Sequence, residues 1–163
     1  MEKEKKSGFS VFCAVLLIFL VFADQLSKAA AVTRLKPVGQ IPVIRNVLSL
    51  LYLENRGAAF GMLKERQWIF VLIAAGVLLF VLYFFIKLPA RKKFRPLGIC
   101  LVLIAAGAAG NLIDRVLRGY VIDFIYFELI DFPVFNVADI CICVGIGCMI
   151  LLMLTRYRED ELL

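Results

Sequence analysis

The sequence predicts an all-α integral membrane protein of one domain, residues 1–163, with four transmembrane helices, a small extracytoplasmic β-sheet and a short interfacial helix. Three observations predict it. Apolar residues make up 63% of the chain and mean hydropathy is +0.92, whereas a soluble domain is roughly half apolar. Four stretches, 9–32, 67–88, 97–113 and 137–155, approach the roughly 20 apolar residues that a helix needs to cross about 30 Å of hydrocarbon. The charge of +6 comes from basic residues lying mainly between those stretches, the pattern of membrane orientation rather than of a nucleic-acid-binding face.

The first span comes after a charged start, Met1 to Lys6, but it is too long for a cleaved leader and runs on into Asp24-Gln25-Leu26-Ser27-Lys28 without a small-residue cleavage site, so it reads as a retained helix. The outer loop, 33–66, opens with turn residues, Pro37-Val38-Gly39-Gln40-Ile41-Pro42. It continues through the β-compatible run Val47-Leu48-Ser49-Leu50-Leu51-Tyr52-Leu53 and closes on Glu54-Asn55-Arg56-Gly57-Ala58-Ala59-Phe60-Gly61, the signature of a small sheet. Between the second and third spans, Lys87, Arg91, Lys92, Lys93 and Arg95 crowd a short link. That density places the link, and with it both termini, in the cytoplasm. Cys13, Cys100, Cys141, Cys143 and Cys148 all fall in apolar segments, as small hydrophobes rather than a disulfide framework.

With this topology the polar groups gather at the outer rim. Asp24 and Lys28 fall in the outer part of the first span, Asn111, Asp114 and Arg115 at the outer end of the third, Asp123 in the link after it, and Asn136 and Asp139 at the start of the fourth. Spacings of three and four put each set on one helical face. The chain has no histidine, which excludes Ser-His and Cys-His catalysis and most zinc sites. Carboxylates remain. Two brought together cannot both ionise cheaply, so one keeps a proton while the other acts as a base. Such a dyad activates water and polarises a scissile carbonyl without a metal or other cofactor.

The segments Asp24-Gln25-Leu26-Ser27-Lys28, Glu54 to Gly61, Gly110-Asn111-Leu112-Ile113-Asp114-Arg115 running on to Gly119-Tyr120-Val121-Ile122-Asp123-Phe124, and Phe135-Asn136-Val137-Ala138-Asp139 together resemble the lipoprotein signal peptidase (signal peptidase II) family, in order and across nearly the whole chain. Ser27 departs from the threonine common there but keeps the hydroxyl. The resemblance implies an aspartic endopeptidase of the bacterial cytoplasmic membrane that cleaves prolipoproteins just before their diacylglyceryl-modified cysteine. It implies that Asp123 and Asp139 are the catalytic pair, and that Asp24, Lys28, Asn55, Gly57, Ala59, Asn111, Asp114, Arg115 and Asn136 support it or contact substrate. The expected partners are lipid-modified prolipoproteins and membrane lipids, with no nucleic acid, and the protein is expected to be a monomer.

Each residue also has a plainer reading. Asn136 and Asp139 suit a helix start as cap and dipole partner, Asp123 a surface link, and Asp24 and Lys28 an ion pair fixing the first helix. Asp114 suits pairing with Arg115 or Arg118, and Asn55, Gly57 and Ala59 a tight turn. Gly107, Gly110, Gly145 and Gly147 read as helix-packing positions. Two rival functions stand beside the leading one: Ser27 as nucleophile with Lys28 as base, disfavoured because adjacent helical residues diverge, and a small transporter or proton relay using the intramembrane carboxylates.

Overall fold

The computed structural model describes residues 2–57, 67–89 and 91–157, with side chains from residue 8 onward. Helices α1 (Glu2–Arg34), α2 (Gln67–Lys87), α3 (Arg95–Arg118) and α4 (Val137–Thr155) occupy the four apolar stretches, and all four are long and apolar enough to cross a membrane. They match the expected spans within two residues except at two ends: α1 begins at Glu2, seven residues before the expected 9, and α3 runs five residues beyond 113, where Arg115 and Arg118 are helix formers held by partners within the protein. The strands β1 (Gln40–Ile44), β2 (Leu48–Asn55) and β3 (Val121–Tyr126) form one antiparallel sheet in that order.

Composition decides the environment of each helix. Helix α2 is apolar on every side, which suits a helix facing lipid nearly all round; only 6% of its apolar window is buried inside the protein, against 61% for α3. The α3 sequence explains its central place, since small residues recur through Ala105-Ala106-Gly107-Ala108-Ala109-Gly110 and let neighbouring backbones approach. A Cβ on Gly107 would stand 2.2 Å from the Ala138 carbonyl oxygen, one on Gly110 2.5 Å from Asp24 Oδ2, and one on Gly145 2.9 Å from Ile104 Cγ1. These three glycines are packing positions, as expected. Gly147 is not: among the described residues nothing lies within 4 Å of its Cβ position, because it sits on the side of α4 turned away from α3.

At the far end of the bundle, Tyr157 stacks on Phe94 with centroids 5.2 Å apart and donates its hydroxyl to the Lys93 carbonyl at 2.8 Å, fastening the end of α4 to the start of α3. Buried Cys13, Cys100 and Cys141 and exposed Cys143 and Cys148 are all free thiols.

The sheet holds one element beyond those expected. The hairpin of β1 and β2 lies in the outer loop as the sequence predicts; β3, which carries Asp123, stands where a plain link is expected. Its sequence, Val121-Ile122-Asp123-Phe124-Ile125-Tyr126, is β-branched and aromatic, and it pairs with β2 in the register Leu53↔Asp123 and Asn55↔Val121. The chain reaches it through Gly119, whose φ of 75° closes α3 in the left-handed conformation that glycine adopts without strain. The described part of the outer loop beyond α1, residues 35–57, holds strands and turns and none of the expected short interfacial helix, and residues 58–66 lie outside the described residues.

A methyl group at position 107 would press on the Ala138 backbone, which cannot swing aside as a side chain can, and stand 2.6 Å from Ile142 Cγ1. Gly107→Ala is therefore expected to lower stability by about 1–3 kcal/mol through overpacking, and Gly147→Ala to be neutral or slightly stabilising; thermal unfolding of the two purified variants in one detergent checks the contrast.

Candidate active site

Two local features of the chain bring polar side chains to one end of the bundle. Phe135 pairs with Ile125 in a short antiparallel bridge, with Phe135 N donating to Ile125 O at 3.0 Å and Ile125 N to Phe135 O at 2.8 Å. That bridge delivers Asn136 beside β3, where it caps α4. The sheet register puts Asn55 diagonal to Asp123 on the same face.

Asn136 is the junction. Its side chain accepts from Asp139 N at 3.0 Å while its own backbone N donates to Asp139 Oδ2 at 3.1 Å, a reciprocal capping box. Its Nδ2 is shared among Asp123 Oδ1 at 2.7 Å, Asn111 Oδ1 at 3.1 Å and Ile122 O at 3.3 Å. One fully buried asparagine thus touches both Asp123 and Asp139. The helix-start reading of Asn136 and Asp139 is correct, and it coexists with their place in this cluster.

Each carboxylate has a second amide partner. Asn55 Nδ2 donates to Asp123 Oδ2 at 2.8 Å, and its Oδ1 accepts from Gly57 N at 3.1 Å, so the turn after β2 fixes which way the amide points. Asn111 Nδ2 donates to Asp139 Oδ1 at 2.8 Å. Its Oδ1 faces Lys28 Nζ at 3.0 Å, and because an ammonium can only donate, Lys28 determines the orientation of the Asn111 amide. Ala59 lies outside the described residues.

Lys28 is 0% exposed. Its ammonium pairs with Asp24 Oδ2 at 2.9 Å and Asp114 Oδ2 at 3.0 Å. Asp24 also accepts from Ala138 N at 2.9 Å, joining α1 to the first turn of α4. Asp114 pairs further with Arg118, not Arg115, and accepts from Ile122 N at 3.2 Å. One member of the cluster is not among the residues singled out from the sequence: Gln25, whose Nε2 reaches Asp24 Oδ2 at 3.2 Å, Gly110 O at 3.1 Å and Asp114 Oδ1 at 3.3 Å. Its only signal in the sequence is its position next to Asp24.

Arg115 lies with its guanidinium 5.0 Å from the Phe70 ring centroid, donates from Nη1 to Asn111 O at 3.4 Å and sits within electrostatic reach of Asp123, Asp139 and Asp114. Its Nε is buried without a hydrogen-bond partner among the described residues. No grouping of His, Cys, Asp or Glu among those residues is arranged to hold a metal ion. The Ser27 hydroxyl is engaged with Asp24 O at 2.7 Å.

Asp123 is 2% exposed, in β3. Burial, reinforced by the charge of Asp139, raises its pKa from an ordinary 3.8 to about 7, against the lowering effect of the donors Asn55 and Asn136 and of Lys28. The folded protein therefore holds a proton that the unfolded chain releases, so this group's contribution to stability is full below pH 3.8 and declines as pH rises towards 7. Asp123→Asn is expected to flatten the fall of unfolding temperature between those pH values; an unchanged slope would place the buried proton elsewhere.

A family model described as signal peptidase (SPase) II matches residues 16–155. Lipoprotein signal peptidases of Clostridioides difficile (47% identical; 80% of this chain, 86% of the relative), Caldanaerobacter subterraneus (48%; 80% and 88%) and Symbiobacterium thermophilum (42%; 89% and 95%) are similar over most of their length. A bacterial membrane enzyme solved by the in meso method at 2.3 Å superposes with a TM-score of 0.80 at 33% identity, covering 91% of this chain and 92% of that one. A second, at 1.9 Å, gives 0.79 at 34% identity. With four apolar helices, the small sheet and the cluster of carboxylates and asparagines all in place, the chain belongs to the signal peptidase II family of bacterial membrane proteins.

Proposed function

We propose that the protein is an aspartic endopeptidase that removes the signal peptide from diacylglyceryl-modified prolipoproteins, cutting N-terminal to the lipidated cysteine, with Asp123 and Asp139 as the catalytic pair. The observation that carries the assignment is Asn136, whose side-chain amide binds Asp123 while its backbone binds Asp139, so that one rigid residue sets the spacing of two carboxylates. The environments divide the roles. Asp139 sits in the first turn of α4, where the helix dipole is positive and two N–H groups point at its oxygens. Asp123 is buried in a strand and holds its proton to about pH 7.

In this reading Asp139 takes a proton from water as the water oxygen attacks the scissile carbonyl carbon, and Asp123 gives its proton to the carbonyl oxygen. Collapse of the resulting diol breaks the C–N bond, returns a proton to Asp123 and passes the other from Asp139 to the departing amine. Asn111 and Asn55 hold the two carboxylates in register, and Lys28 holds Asn111. Arg115, within reach of both carboxylates and with its Nε unpartnered among the described residues, and Gly57, buried just after β2, contact the substrate; Ala59 belongs with them by family likeness. An extended substrate fits beside the sheet, since a helical peptide bond is occupied by its own hydrogen bonds.

The density of basic residues around 87–95 supports a cytoplasmic link and cytoplasmic termini, which leaves the carboxylates at the extracytoplasmic side of a monomeric, single-domain protein. The Ser27–Lys28 alternative has no geometric support, since the hydroxyl is bonded to its own helix and the ammonium to two carboxylates.

Asp123→Asn and Asp139→Asn are each expected to reduce processing of a synthetic lipid-modified prolipoprotein by at least about 10²–10⁴-fold while inserting normally, read as a mobility shift; normal processing by either variant refutes the pairing. Ser27→Ala is expected to retain cleavage. Lys28→Met strands two buried carboxylates and is expected to lower stability by about 3–5 kcal/mol, with Lys28→Met/Asp114→Asn recovering part of the loss in thermal unfolding.

A further inference from the structure

At the end of the bundle opposite the carboxylates, the start of α1 and the start of α3 leave a cavity of ≈ 440 Å³ lined by Gly8, Phe9, Phe12, Arg95 and Ile99. That volume is within the roughly 300–1,000 Å³ of small-molecule sites. Phe9 precedes Asp24 by fifteen residues of one helix, a rise of roughly 22 Å, so the cavity lies in the other half of the bundle and is separate from the cluster described above.

Its chemistry points to one kind of occupant. The walls are apolar and continuous with a lipid-facing surface, where Val11, Phe12 and Val15 are exposed. Arg95 supplies the polar part: its guanidinium rests 5.3 Å from the Phe9 ring centroid, and among the described residues it meets no carboxylate. Phe9 in turn lies against Gly98, where a Cβ would stand 2.9 Å from Phe9 Cε1, so the ring that carries the guanidinium is seated on a residue without a side chain. Around this mouth the chain is net basic: Lys87, Arg91, Lys92, Lys93 and Arg95 lie in sequence with no acidic residue from 87 to 113, and the sequence before Gly8 carries Lys3, Lys5 and Lys6 against Glu2 and Glu4. An apolar trough capped by a planar, fork-shaped cation in a positive field suits a molecule with an acyl tail and a phosphate.

We propose that this cavity binds one anionic glycerophospholipid, its phosphate on Arg95 and an acyl chain along Phe9, Phe12 and Ile99. Basic pockets between transmembrane helices recognise lipid headgroups on the same physical basis. An occupant there ties the start of α1 to the start of α3.

Native mass spectrometry of the delipidated full chain, offered equal phosphatidylglycerol and phosphatidylcholine with the same acyl chains, tests the proposal. The expected result is a single bound phosphatidylglycerol preferred by about tenfold, with Arg95→Gln removing the preference and Arg95→Lys keeping part of it. Ile99→Trp, which fills the trough without changing charge, is expected to lose the lipid as well. Unfolding temperatures measured without lipid verify that each variant is folded; should Arg95→Gln not fold, Arg95→Lys and Ile99→Trp decide the matter. Equal retention of the two lipids, unsaturated binding of many copies, a preference unchanged in Arg95→Gln, or retention by Ile99→Trp each overturns the proposal. Retention of inorganic phosphate with no lipid bound overturns it too, since that reveals an anion site that does not use the trough.

Discussion

The buried ammonium of Lys28 is the constraint on which the rest of the polar end depends. A charge at 0% exposure inside a membrane protein is tolerable only if counter-charges and acceptors surround it, and here they come from Asp24 on its own helix and from Asp114 and the Asn111 side-chain carbonyl on α3. Because those partners have further obligations, neutralising one lysine fixes three helices and a strand. Asp24 reaches the first turn of α4 through Ala138 N, and Asp114 reaches β3 through Ile122 N. The small residues of α3 allow the approach, since a side chain at Gly110 would meet Asp24 itself.

From that anchor, orientation passes outward through amides. Lys28 cannot accept a hydrogen bond, so it turns the Asn111 carbonyl inward and its NH₂ towards Asp139; the Gly57 backbone turns Asn55 in the same manner towards Asp123. Asparagine suits this work because it is neutral, short and both donor and acceptor. A cluster built instead on cations would hold both carboxylates ionised, whereas amides leave one of them free to keep a proton. The capping box of α4 belongs to the same logic: a motif that begins a helix in any soluble protein here also positions a proposed catalytic carboxylate.

The two ends of the bundle are chemically unlike. One end gathers carboxylates, amides and the paired cations Lys28 and Arg118 around a small sheet; the other carries an apolar trough, aromatic stacking between Phe94 and Tyr157, and a run of basic residues. Helix α3 runs between them as the most buried of the four spans. Its glycines serve both regions, Gly110 against Asp24 at one end and Gly98 against Phe9 at the other.

Class, helix number and the roster of polar residues were legible in the amino-acid order alone, because length and hydropathy dictate helical crossings and a charged residue in an apolar run is conspicuous wherever it lands. The capping role of Asn136 and Asp139 and the pairing of Asp24 with Lys28 were legible too, since both depend on helical spacings of three and four. The docking of helices and strands settled which residues meet across the chain. Asp123 joins a strand by pairing with β2, Asn136 reaches it through the bridge of Phe135 to Ile125, Asp114 takes Lys28 as a partner, and Gly147 packs against none of the described residues. The physical reason is that such contacts join residues 10 to 114 positions apart, and no local periodicity encodes a separation that arises only when distant segments pack together.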